Sequence, residues 1–310
     1  METILVGCMA IFRLEAKIIG RENRGRSVIA AAAYRAGTKL YDELREKIHD
    51  YARRAKGVIE SVILAPEGAP AWATDSGKLW NFVEACEHRK DSQLAREFIL
   101  SLPRELSTED QLRTAVDWAN KELVPSGMVV ELSLHHTRAG NPHAHLLCTM
   151  RKIDGEKFSA KKPREWNDRS VLKAQRKSWA DAVNAALEKA GRPERVDHRS
   201  LKDQGLSKIP EPKIGVAATA MKRRGLVADT LRHQLVRQVK FMNAIRPMMK
   251  AIKEHGEIYQ VGVGKAWWQK SISFMARIRE QADKVVSKTW WNRPDTRQHN
   301  NGKDGPQLGR

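Results

Sequence analysis

The sequence predicts an α+β fold, with a central antiparallel β-sheet flanked by helices on one face and followed by a helical basic C-terminal region. Three observations carry that prediction. Segments with the two-residue alternation of half-buried strands recur across the first 150 residues. Helical stretches interrupt them with no βαβ rhythm and no Gly-rich phosphate loop. The charge is also uneven: residues 213–310 hold 20 Lys/Arg against 7 Asp/Glu, so the last third of the chain carries most of the net +19.

Taken in order, residues 10–19 alternate after Met9, a second methionine that leaves the natural start open between Met1 and Met9, and predict the first strand. Ser27 then caps an alanine-rich helix that Gly37 closes, with Tyr34 riding on it and Arg26 and Arg35 nearby. Residues 41–51 read as a charged loop or short hairpin. Residues 58–64 alternate again and stop at Pro66, and a Pro/Gly/Ala connector leads to a helix over 75–87. Residues 95–102 form a strand containing Glu97. Ser107-Thr-Glu-Asp110 is a capping box for a helix over 111–123. Residues 128–151 form a hairpin, and 166–190 an amphipathic helix with Trp179, Val183 and Leu187 on one stripe, closed by Gly191. Helices over 217–254 and 265–290 follow, with paired tryptophans at 267–268 and 290–291 that suit helix packing first and base stacking second. The organisation expected is a domain over 9–215, a basic helical region over 216–291 and a disordered tail over 292–310. Val261-Gly-Val-Gly-Lys265 lacks both the earlier glycine and the Ser/Thr of a P-loop, which excludes an NTPase site there.

A net charge of +19 on 310 residues points to a polyanionic partner, most simply nucleic acid. Three scattered cysteines, Cys8, Cys86 and Cys148, exclude a disulfide framework or a CxxC metal site and suggest a reducing compartment. With no membrane-length apolar run and no cleavable leader, the chain reads as cytoplasmic.

The 128–151 hairpin concentrates the chemistry. Four of the ten histidines fall within residues 135–145. Leu132 and Leu134 alternate with Glu131, Ser133 and His135, and Gly140, Asn141 and Pro142 supply a turn before His143. In a hairpin His143 and His145 point to one face, His135 can stand opposite them, and His136 points away. Three imidazoles converging from two paired strands make a divalent metal site with open coordination positions.

Several motifs together resemble the MobA/MobL relaxases, members of the HUH nuclease superfamily that mobilise plasmids. They are Met9-Ala-Ile-Phe-Arg-Leu-Glu-Ala-Lys17, Arg26-Ser-Val-Ile-Ala-Ala-Ala-Ala-Tyr-Arg-Ala-Gly37, Leu40-Tyr-Asp-Glu43 and Ala95-Arg-Glu-Phe98. The histidine hairpin ending Gly140-Asn-Pro-His-Ala-His145 is the most specific. Trp166, Trp179-Ala-Asp181 and Asp197-His-Arg-Ser-Leu201 complete the set. The resemblance covers residues 9–215 and implies a relaxase palm fold. It implies that Tyr34 is the tyrosine that becomes joined to the 5′ phosphate at a nick. It implies that His135, His143 and His145 hold Mn²⁺ or Mg²⁺. Glu97 is similar to an acidic residue of the family, with either a ligand histidine to orient or the tyrosine proton to handle. The implied partners are origin-of-transfer DNA, single-stranded at the nick, together with accessory mobilisation proteins and a coupling protein. The chain carries no helicase region, so a host or conjugative helicase is expected to serve it.

The chemistry fits those residues. A phenol is protonated at neutral pH and needs an ion, a cation or a base to attack as phenolate. A divalent ion on three neutral imidazoles leaves positions for phosphodiester oxygens. The leading expectation is nicking and rejoining at a plasmid origin. Its rivals are a rolling-circle replication initiator with the same metal site, and a non-catalytic DNA-binding protein with a structural metal.

Overall fold

A computed structural model of the chain describes residues 10–21, 27–136, 140–212 and 231–255, with isolated positions between 214 and 280. Met1 and Met9, Arg26, the 265–290 helix apart from isolated positions, the paired tryptophans and the 292–310 tail lie outside the described residues.

Five strands form the main sheet: β1 (Leu14–Gly20), β4 (Val58–Leu64), β5 (Gln93–Ser101), β6 (Val130–His135) and β7 (His143–Thr149). Their order is β1-β5-β7-β6-β4, and every neighbouring pair is antiparallel. The histidine hairpin, β6–β7, thus occupies the middle of the sheet with β5 beside it. The first strand begins at Leu14 rather than at residue 10, because its partner runs out: the last bond goes from Ser101 to the Arg13 carbonyl, just before Pro103. Residues 41–51 fall in a true hairpin, β2 (Lys39–Asp42) with β3 (Lys47–Asp50), turning through Glu46 at positive φ. A smaller hairpin, β8 (Ile153–Asp154) with β9 (Lys157–Phe158), was not evident in the sequence pattern.

Helices cover both faces of the sheet, not one as expected. On one face α3 (Thr108–Glu122) and α4 (Arg169–Lys189) bring Trp118 and Trp179 onto Phe98, Leu132 and Leu146. On the other, α1 (Val28–Ala36) and α2 (Ser76–Ala85) pack Ile29, Leu79 and Trp80 over Leu94 and Leu147. The physical reason lies in the polar half of the strand alternation. Glu97, Glu131 and Ser133 are buried under α1 and α2 rather than turned to water. Each fully buried leucine or phenylalanine in these layers contributes about 1.5–3 kcal/mol, which offsets the cost of burying those polar groups. The α4 helix starts after Asp168, and Trp166 sits in a preceding 3₁₀ turn, Arg164–Asn167.

Residues up to His198 form one compact unit and those from Arg199 a second. In the second, α5 (Leu231–His255) accounts for the later part of the helix expected over 217–254. Its Leu235, Val239 and Met242 cluster with Ile209, and the Asn243 side chain bonds both the N–H and the carbonyl of Ile209 at 2.8 Å. Among the described residues no helix is long and apolar enough to cross a membrane.

Candidate active site

Strand register brings the three histidines together. His135 and His143 are direct cross-strand partners, and His145 pairs with Ser133 two residues along, so all three project to the α1/α2 face. Their ring centroids stand 5.4, 4.8 and 5.1 Å apart, and one donor nitrogen from each lies within 4.8 Å of the others. Among the described residues this is the one group of three His, Cys, Asp or Glu side chains close enough to hold a metal ion. His136 is outside it; its Nε2 meets Gln111 Oε1 at 2.8 Å, and its backbone N–H bonds the Gly57 carbonyl.

One nitrogen of each ring is already held by a hydrogen bond. His135 Nε2 donates to the Arg35 carbonyl at 2.6 Å, His143 Nδ1 to the Asn141 carbonyl at 2.8 Å, and His145 Nδ1 to Glu97 Oε1 at 2.6 Å. Carbonyls and ionised carboxylates only accept, so those nitrogens carry the hydrogens. The remaining nitrogens, Nδ1 of His135 and Nε2 of His143 and His145, therefore keep their lone pairs. Metal-binding histidines carry this second set of partners, which fixes tautomer and ring orientation. Burial disfavours the imidazolium and holds His135 down at about 4; it also lowers His143. At neutral pH both rings are in the form that a metal requires.

Glu97 enters from β5 opposite Leu147. Burial opposes its charge, but hydrogen bonds from His145 and Arg35 outweigh it and hold the carboxyl down at about 2. Arg35 grips both oxygens in a fork, Nε to Oε1 and Nη2 to Oε2, each at 2.8 Å. The sequence pattern marked Arg35 only as a neighbour of Tyr34; its carbonyl orients His135 and its guanidinium locks the acid that orients His145. Glu97→Gln is therefore expected to weaken Mn²⁺ binding by roughly 10–100-fold, as loss of such a partner does elsewhere. Titration calorimetry with the metal alone checks this, and wild-type affinity in the variant would remove Glu97 from the site.

Tyr34 reaches the site from the last turns of α1. Ser27 Oγ caps that helix by accepting from Ala30 N–H, and Gly37 ends it at φ 65°. A Cβ on Gly37 would stand 2.9 Å from Ala55 Cα, so only glycine lets the following chain pack this closely. Tyr34 is 38% exposed, and its hydroxyl accepts from Arg54 Nη1 at 2.7 Å. Tyr34, Arg54, Lys56, Gly57, Val58, His135 and His136 line one cleft of about 290 Å³. The phenol and a member of the histidine group thus face a common space.

Comparison with known proteins adds a lineage to this geometry. Residues 26–224 match the MobA/MobL family. The mobilization protein MobL of Acidithiobacillus ferridurans is 33% identical over 74% of this chain and 68% of its own length. The conjugal transfer protein TraA of Agrobacterium fabrum is 32% identical over 70% of this chain, but this chain spans only 22% of TraA. A solved structure reported for the molecular basis of vancomycin resistance transfer in Staphylococcus aureus is 34% identical, with TM-score 0.58. That likeness covers 62% of this chain and 100% of the other.

Proposed function

The chain belongs to the MobA/MobL family, and from that premise we propose that it nicks and rejoins one DNA strand at a plasmid origin of transfer. The reaction is a metal-dependent, site- and strand-specific tyrosine transesterification that initiates conjugative mobilisation. The observation that carries the reading is the set of three imidazoles. Each is tied back by one nitrogen, and one of them lines the cleft that also holds Tyr34.

In this reading Tyr34 Oη bonds to the scissile phosphorus and the P–O3′ bond breaks. The 5′ phosphate stays on the protein, the phenol proton is released, and the 3′ oxygen takes one up. One phosphodiester replaces another, so the reverse attack by the 3′ hydroxyl rejoins the strand. A divalent ion, Mn²⁺ or Mg²⁺, held by His135, His143 and His145 supplies Lewis-acid polarisation of the phosphodiester. Glu97 acts on His145, keeping its Nδ1–H engaged and its ring aimed. Of the two roles open to Glu97, this one is supported by the 2.6 Å bond to His145 and by the Arg35 fork on its oxygens.

The basic region over 216–291 adds sequence-tolerant phosphate contacts, so binding falls steeply with added salt. The partners proposed are origin DNA, single-stranded at the nick, accessory mobilisation proteins and a coupling protein, met in the cytoplasm. The test is a labelled single-stranded origin oligonucleotide with Mn²⁺. A protein–DNA adduct that survives denaturation is expected, along with a free fragment ending in a 3′ hydroxyl, and neither should form with chelator present. Cleavage to two free fragments with no adduct would replace transesterification by hydrolysis and overturn the reading.

A further inference from the structure

The cleft beside Tyr34 contains a cation that none of the roles above uses. We propose that Arg54 is a catalytic residue of the transesterification, holding the Tyr34 oxygen in place and stabilising it as a phenolate when it attacks and when it leaves. This rests on Tyr34 being the nucleophile.

Two contacts join the pair. Arg54 Nη1 donates to Tyr34 Oη at 2.7 Å, and the guanidinium carbon stands 4.0 Å from the Tyr34 ring centroid. The guanidinium therefore meets both the ring and the oxygen that would form the bond to phosphorus. An exposed arginine lying across a tyrosine is a common surface feature, worth about 0.5–1 kcal/mol. The backbone around Arg54 separates it from that case. It sits in the 3₁₀ turn Ala52–Gly57, fastened at both ends to the elements that carry the site. At the near end Tyr51 N–H bonds the Thr38 carbonyl, and Arg54 N–H bonds the Tyr51 carbonyl at 2.8 Å. At the far end His136 N–H bonds the Gly57 carbonyl at 3.1 Å, one residue beyond His135. In the middle Ala55 packs against Gly37 at the end of α1, and the Tyr51 ring meets Tyr34 edge-on at 5.4 Å. Contacts before, within and at the end of the turn thus hold the backbone that presents Arg54 to Tyr34.

The chemistry suits a guanidinium. It cannot take the phenol proton, since arginine stays charged and only donates. It can donate to the phenolate, whose charge builds as the proton leaves and, in the rejoining direction, as the O–P bond breaks. A fixed donor on a developing oxyanion is worth about 10²–10³ in rate. The same charge, with Lys56 on the same turn, faces an incoming phosphodiester; the other titratable groups around the cleft, besides Tyr34, are His135 at the end of β6 and His136 just after it.

The experiment compares single-turnover adduct formation at saturating origin oligonucleotide with Mn²⁺, for wild type, Tyr34→Phe, Arg54→Ala and Arg54→Lys. Arg54→Ala is expected to slow the step by about 10²–10³-fold. Its oligonucleotide affinity should change far less, and its Mn²⁺ affinity and melting temperature should match wild type. Arg54→Lys should recover part of the rate, and millimolar guanidinium should accelerate Arg54→Ala but not Tyr34→Phe. An Arg54→Ala rate equal to wild type, or a loss that appears wholly in oligonucleotide affinity, overturns the proposal while the nicking reaction stands. Absence of any adduct in wild type, or an undiminished adduct in Tyr34→Phe, overturns the nucleophile assignment and this proposal with it.

Discussion

Tyr34→Phe is expected to lower nicking and adduct formation by roughly 10⁴-fold or more, the scale seen when a nucleophile is removed from a site otherwise intact. The substitution deletes one oxygen and little else. The ring keeps its edge contact with Tyr51 and its place under the Arg54 guanidinium, and it takes no part in the buried core. Thermal stability and Mn²⁺ affinity should therefore stay at wild-type values. Oligonucleotide affinity should hold too, because phosphate contacts rather than the phenol dominate it. Denaturing gels of the labelled origin strand read the adduct, and fluorescence anisotropy reads binding. A persistent adduct in Tyr34→Phe would transfer the nucleophile to another residue. Loss of binding in parallel with loss of chemistry would make the tyrosine a DNA contact instead.

The site was legible in the sequence to the extent that its geometry is local. His135, His143 and His145 share a face because strand residues two apart always do, and the turn at Gly140-Asn-Pro fixes which residues stand opposite. Ser27 and Gly37 announced α1 by the backbone chemistry of helix ends, which carried Tyr34 along. The remainder depends on pairings that no short window contains. Glu97 meets His145 only because β5 lies beside β7 in the sheet, 48 residues apart in sequence. Arg35 and Arg54 became visible once α1 docked and the 52–57 turn closed against it, and neither belongs to a periodic pattern. The second layer of helices was missed for a related reason. Polar residues alternating along β5 and β6 normally mark a solvent face; here Glu97, Glu131 and Ser133 are buried and hydrogen-bonded, with Glu131 held by Ser76 and Trp80 from α2. Functional polarity under a helix carries the same period as exposure to water.

The largest stability effect is expected at Asp42, a carboxylate with no exposure to solvent. It accepts from Ser27 Oγ at 2.5 Å, from the Arg45 backbone and side chain at 3.1 and 3.0 Å, and lies 3.3 Å from His49 Nε2. Burial works against its charge, but the Ser27 hydrogen bond and the Arg45 guanidinium keep it below the usual carboxylate range. Arg45 also bonds Glu84 at 3.1 Å, and Glu84 in turn accepts from Val28 N–H in the first turn of α1. The root of the β2–β3 hairpin, the start of α1 and the end of α2 are thus joined through two buried carboxylates and a partly buried guanidinium. Asp42→Ala would leave the Ser27 hydroxyl without its acceptor and Arg45 beside Glu84 alone. Removing one member of a buried charged set costs about 3–5 kcal/mol. At about 2–4 °C per kcal/mol for a unit of this size, the melting temperature should fall by roughly 10 °C. Asp42→Asn keeps one acceptor oxygen, loses the charge and turns the other oxygen into an NH₂ donor, so it should fall in between. Because Ser27 is both the partner of Asp42 and the cap of α1, the loss should propagate to Tyr34. In Asp42→Ala the adduct rate at a temperature where the protein is still folded should drop, and Mn²⁺ affinity should weaken with it, because Arg35 on α1 orients His135 and holds Glu97. Calorimetric melting of the three proteins, read beside those two assays, decides the matter. A melting temperature unchanged in Asp42→Ala would mean that the network does not hold α1 in place.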